Sequence, residues 1–83
     1  MTKILLDARE MEYPIPLQLA MGHLKEMDNS TYLYMIHFKK PIPLIEMIKE
    51  KGFAHHTYQD TNGVWHILIA KNNNINLEEL LDV

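Results

Sequence analysis

Histidine is the side chain in this sequence with the widest chemical repertoire. His37 ends one apolar segment, His55 and His56 lie in a second, and His66 lies in a third. Neutral imidazoles on neighbouring strands can hold zinc, iron, copper or haem. Their spacing matches no compact metal motif such as HExxH. A metal or haem site would therefore have to be assembled by the fold, from His37, His66 and one of His55 or His56. Side chains alternate across a strand, so only one of that adjacent pair can face a given side. The sequence leaves open which one. The default for the same histidines is hydrogen-bonded or solvated groups at sheet margins, with a proton relay or pH sensor a lesser alternative.

A second group of reactive types lies in two short stretches. Asp7, Arg9, Glu10, Glu12 and Tyr13 form one; His37, Lys39 and Lys40 form the other. Arg9, Lys39 and Lys40 could receive an anion together with the N-termini of the helices that follow. The neighbouring acids, and prolines that lack an N–H, oppose this. Tyr13 as an acid or nucleophile would need a base or cation beside it, from Arg9 or His37. As a packing residue it would close its loop over the first helix. The chain has no cysteine, which excludes disulfides, thiolate metal sites and thiol nucleophiles.

The elements that must position these groups are legible in order. Lys3-Ile4-Leu5-Leu6-Asp7 reads as a first strand, and its unbroken apolar run predicts burial on both faces or a central position. Pro14 and Pro16 open a first helix. Leu17, Ala20, Met21, Leu24 and Met27 recur at spacings of three and four, an apolar stripe facing a sheet. Asp28-Asn29-Ser30 stops it. Thr31 to Phe38 reads as a second strand, so the crossover implies a right-handed parallel βαβ unit.

Lys39-Lys40-Pro41-Ile42-Pro43 reads as the next loop, and Pro43 opens a second helix with Leu44, Met47 and Ile48 on its stripe and Gly52 as its C-cap. The Pro-Ile-Pro-Leu sequence occurs at both helix starts, 14–17 and 41–44, one local solution used twice. Phe53 to Gln59 reads as a third strand and Val64 to Ala70 as a fourth. Asp60-Thr61-Asn62-Gly63 turns between them on an Asn-Gly hairpin signal. Asn72-Asn73-Asn74 is a polar linker. Asn76 can cap a last short helix, with Glu79 at the capping-box position and Leu77, Leu80 and Leu81 on one face. Such a short helix must dock on its own domain or on a neighbour. Trp65 and Phe53 are expected in the core, as are Met21, Met27 and Met47.

At 83 residues the chain is one small domain with a thin core. Its net charge of −3, with both signs mixed along the chain, argues against nucleic acid as a partner. There is no signal-peptide pattern and no apolar run near the length of a membrane span, so the expectation is a cytoplasmic protein with no membrane partner.

Leu6-Asp7-Ala8 followed by Pro14-Ile15-Pro16 resembles the TusA-like (SirA-like) sulfur carriers. In that family a strand ends in a similar triplet and a Cys-Pro-x-Pro motif opens the first helix. The resemblance covers about residues 4–71. It implies an α/β (α+β) two-layer sandwich of order β-α-β-α-β-β. Its four-stranded mixed sheet would carry two helices on one face, with the fourth strand antiparallel to the others between the second and third. A TusA-like domain over 1–71 would then be followed by the linker and short helix of 72–83.

The family's cysteine falls on Tyr13, which cannot form a persulfide. More closely, the chain resembles a cysteine-less sister family of unknown function, comprising small bacterial proteins or appended domains. They share Leu6-Asp7-Ala8-Arg9, His37 with Pro41-Ile42-Pro43-Leu44, Gly52-Phe53, and Gly63-Val64-Trp65-His66-Ile67. The implied strand order sets the end of the second strand beside the start of the fourth, where His37 and His66 could approach each other.

Two readings follow. One is a non-enzymatic adaptor or carrier-like module that binds a partner protein through Arg9, Tyr13, Pro14, Pro16, His37, Lys39, Lys40, Pro41 and Pro43. The other is a metal- or haem-binding accessory to a redox system, since sister-family members are attached to or encoded near metal-binding redox domains. The last helix could also serve a homodimer.

Overall fold

In the computed structural model, which describes residues 1–80, strand β1 (Thr2–Asp7) leads into helix α1 (Ile15–Glu26) and strand β2 (Thr31–His37). Helix α2 (Ile42–Lys51), strands β3 (Ala54–Gln59) and β4 (Trp65–Ala70), and a 3₁₀ turn (Leu77–Leu80) follow. The four strands form one mixed sheet in the order β1-β2-β4-β3. β1 runs parallel to β2, and β4 runs antiparallel to both β2 and β3.

Alternation along the strands divides the sheet into two faces. Leu6, Leu33, Met35, Ile67 and Ile69 point to one side, where Ala20 and Leu24 of α1 and Leu44 and Ile48 of α2 complete the main core. Phe53 and Trp65 pack against that core partly buried. The second face carries Tyr32, Leu68 and Ala70, and the chain after β4 folds back so that Leu77, Ile75 and Leu80 cover them. The last turn thus docks on its own sheet. Asn76 Oδ1 accepts a hydrogen bond from the Glu78 N–H at 3.1 Å, which starts the turn. Leu81 lies outside the described residues.

Local chemistry sets the element ends. α1 and α2 each carry proline in the first turn and no side-chain cap. α2 stops at Gly52, left-handed at φ 71°, where the Phe53 N–H turns back to the Ile48 carbonyl at 3.2 Å. That bond removes Phe53 from the strand ladder, so β3 begins one residue later than its apolar pattern suggests. The β3–β4 hairpin turns on Asp60, whose Oδ1 accepts from the N–H groups of Asn62 and Val64 at 2.8 and 3.0 Å. Of the Asn-Gly pair only Gly63 has positive φ, at 83°.

Three expectations are corrected. β1 is an edge strand rather than a central or doubly buried one: it pairs only with β2, and Leu5, facing away from the helices, is 59 % exposed. Met21 is 46 % exposed, because the buried arc of α1 is narrower than its apolar stripe and runs through Pro16, Ala20 and Leu24. Phe38 leaves the second strand, which ends at His37, and stands 54 % exposed.

Candidate functional site

The C-terminal ends of the parallel strands β1 and β2 emerge side by side. Two loops leave them, and each climbs into a helix through prolines. Between these loops lies an open cleft of about 580 Å³. Arg9, Tyr13 and Pro16 line one wall; His37, Lys39, Lys40, Pro41 and Pro43 line the other. Met11, Leu17 and Leu44 supply apolar surface between them, and Glu10, Glu12 and Phe38 also border the space. Of the residues expected on this surface, only Pro14 stands outside the lining; its bond to Tyr13 is cis.

Charge in the cleft is largely spoken for. The Arg9 guanidinium forks onto Asp7, with Nε donating to Oδ1 at 2.9 Å and a terminal nitrogen donating to Oδ2 at 2.8 Å. These hydrogen bonds, with that of the Arg9 backbone N–H, hold the Asp7 carboxyl down to about 2. The bidentate fork that a ligand anion would want is thus filled from within the chain. Lys40 places its ammonium 5.3 Å from the centre of the Trp65 ring, a cation–π contact. The Lys39 N–H meets His37 Nδ1 at 3.4 Å. Burial, and then the Lys39 charge, push the His37 pKa below its ordinary value.

Tyr13 is 75 % exposed, so it does not seal its loop over α1. With the exposed Phe38 on the opposite loop, it leaves an aromatic surface at each side of the cleft. The sequence reading missed Phe38 because a β-favouring run continues into it. The signal against an eighth strand position was Lys39-Lys40-Pro41 immediately after.

The histidines do not converge as their strand positions suggested. His37 pairs across the sheet with Trp65, and His66 with Ile36. Directly opposite residues share a face, so this one-residue offset sends His37 and His66 to opposite faces. His55 sits opposite Ile69 on the helix side, whereas His56 sits opposite Leu68 on the other, with its Nδ1 3.6 Å from a Glu78 carboxylate oxygen. Among the described residues no three His, Asp or Glu side chains are grouped to hold a metal ion.

His66 instead anchors a different constellation on the face away from the helices. Its Nε2 lies 2.8 Å from Asp60 Oδ2 and its Nδ1 2.7 Å from the Tyr34 hydroxyl. The Tyr58 ring stacks on the imidazole at 4.6 Å with an interplanar angle of 3°. Donation from His66 helps hold the Asp60 carboxyl below the ordinary range. A carboxylate only accepts, so Nε2 carries a proton. In the neutral imidazole Nδ1 is then an acceptor, and the Tyr34 O–H donates to it. Sequence reading named His66 but not Tyr34 or Asp60, because only the register of β2 against β4 brings them together.

No helix among the described residues is long and apolar enough to cross a membrane. Comparison with known protein families matches residues 5–71 to the family described as "Uncharacterized conserved protein (DUF2249)". The match spans most of the chain, from the second half of β1 through both loops of the cleft to the end of β4, and the chain belongs to that family. No curated protein and no solved structure matches it.

Proposed function

We propose that this family member is a non-enzymatic, carrier-like docking module that receives a partner protein in the strand-end cleft. The observation that carries the reading is the composition of that cleft. Two proline-braced loops hold Tyr13 and Phe38 exposed at its sides, over apolar surface from Met11, Leu17 and Leu44. Exposed aromatics beside an apolar recess suit an anchor residue from another protein. Glu10 and Glu12 on one loop and Lys39 on the other favour a partner segment with an apolar anchor flanked by charges of both signs.

Chemistry on substrate has less to recommend it. Arg9 is committed to Asp7, and no partner activates the Tyr13 hydroxyl among the described residues. The likeness to the TusA-like sulfur carriers supports the docking reading. There the position of Tyr13 carries the reactive cysteine, so this chain keeps the strand-end surface and lacks the means to carry sulfur. The metal- or haem-binding alternative lacks comparable support, since His37 and His66 face opposite ways and both ring nitrogens of His66 are engaged.

The test is site-specific photocrosslinking in cells, with a photoreactive residue replacing Phe38, or Glu46 on exposed α2 as a control. The expected result is one discrete adduct from position 38 and none from 46. No adduct, or the same set from both positions, would contradict the proposal.

A further inference from the structure

Away from the cleft, the face of the sheet opposite the helices holds an unbroken hydrogen-bonded chain from phenol to imidazole to carboxylate. Tyr34 lies on β2, His66 on β4 and Asp60 in the β3–β4 turn. Tyr34, paired across the sheet with Leu68, packs against the second apolar cluster and is partly buried. The groups facing it are Lys3 from β1, with its ammonium 5.5 Å from the ring centre, Tyr58 from β3 beside His66, and Asp60.

A phenol that gives up one electron becomes a very strong acid. The step is feasible at moderate driving force only if a base already holds the proton. Here the base is 2.7 Å away, and in the neutral tautomer whose Nε2–H faces the Asp60 carboxylate its Nδ1 is open to receive it. The resulting imidazolium keeps its Nε2–H on the Asp60 carboxylate, which compensates the new charge. Tyr58, stacked almost parallel, fixes the imidazole plane toward Tyr34. To brace the hairpin alone, the Asp60–His66 contact and the Asp60 turn bonds would suffice. The Tyr34 link crosses to a different part of the sheet and adds a proton path.

We propose that Tyr34 is a redox-active tyrosine, oxidised reversibly by a high-potential one-electron oxidant such as an oxidised metal complex. One electron leaves Tyr34 for the oxidant as the phenolic O–H bond breaks and its proton forms a bond to His66 Nδ1. The products are a neutral tyrosyl radical, an imidazolium paired with Asp60, and the singly reduced oxidant. Return of an electron reverses each step. Burial, with the Tyr58 hydroxyl and the Asp60 charge adding to it, raises the Tyr34 pKa to about 12. The phenol is therefore protonated before oxidation, as a coupled transfer requires.

The experiment uses the full chain with a photo-oxidised ruthenium polypyridyl complex and a sacrificial acceptor, read by transient absorption and electron paramagnetic resonance. The wild type is expected to give a tyrosyl signal that Tyr34→Phe abolishes and 3-fluorotyrosine incorporation alters. His66→Gln, which keeps polar atoms but removes the base, should slow oxidation by about a hundredfold. His23→Gln, on α1 across the sheet from this cluster, should leave the rate unchanged. A solvent deuterium isotope effect in the unmodified protein is the check that needs no folded variant. Oxidation of Tyr13 or Trp65 instead of Tyr34, an unchanged rate in His66→Gln, or no isotope effect would overturn the proposal.

Discussion

Tyr13 and Phe38 project from their loops, while the cores of both loops are held by backbone bonds and by Asp7–Arg9. Replacing either aromatic with alanine should change unfolding free energy by no more than about 0.5 kcal/mol in denaturant titration. Their loss would be felt in binding alone. Thr57 behaves oppositely. Its hydroxyl is buried on the helix side with no hydrogen-bond partner among the described residues. Thr57→Val keeps the shape and removes the orphaned group, so it should stabilise the domain by about 1 kcal/mol in the same titration.

His37 gives a pH signature. Its folded pKa lies below the ordinary 6.5, so the unfolded chain binds the proton more readily. Its contribution to stability is complete at higher pH. It declines as pH falls through 6.5 toward the lower folded value. Asp7 follows the same sign lower down: its contribution is present above the ordinary 3.8 and disappears as pH falls to about 2. Chemical unfolding across pH should show His37→Gln flattening the upper window and Asp7→Asn the lower. At this scale much of the cleft was readable, because Arg9, Tyr13, His37 and Lys39 stand beside proline-marked helix starts. That Arg9 would be occupied was not readable: Asp7 and Arg9 are two residues apart, and only the loop's bend faces their side chains together.

Elements were legible wherever composition and punctuation agreed. Gly52 after an apolar-periodic helix marked a left-handed cap, and the φ of 71° bears it out. Gly52→Ala should therefore destabilise by about 1 kcal/mol in thermal or denaturant unfolding, although its Cβ would meet no neighbour within 4 Å. β1 misled because an all-apolar run usually reports two covered faces. Here Ile4 and Leu6 serve the core while Leu5 faces outward from an edge. The histidines misled for a related reason. Adjacent strands predict proximity, but face is decided by register, and a single residue of offset between His37 and His66 reverses it.

The whole molecule is a sheet covered unequally on its two sides. Both helices occupy one side. On the other, the segment after β4 covers only the part around Tyr32, Leu68 and Ala70. Leu77 is the buried centre of that cover, and Leu77→Ala should destabilise by about 2–5 kcal/mol. The loss would show in the denaturation midpoint, with the strand-end cleft on the far side of the sheet unaffected. Helix docking on one face and the C-terminal turn on the other leave the ends of β1 and β2 as the place where loop chemistry is free to vary. Open α/β sheets commonly bind there.

The measurement that tests the docking account most directly is calorimetric titration of the partner captured from position 38 against purified variants. Phe38→Ala should weaken binding at least about tenfold, the loss of one aromatic anchor. Leu5→Ala, equally exposed but on the opposite face of the sheet, should bind as the wild type does. Equal affinity for wild type and Phe38→Ala, or a greater loss with Leu5→Ala, would contradict the cleft as the docking surface.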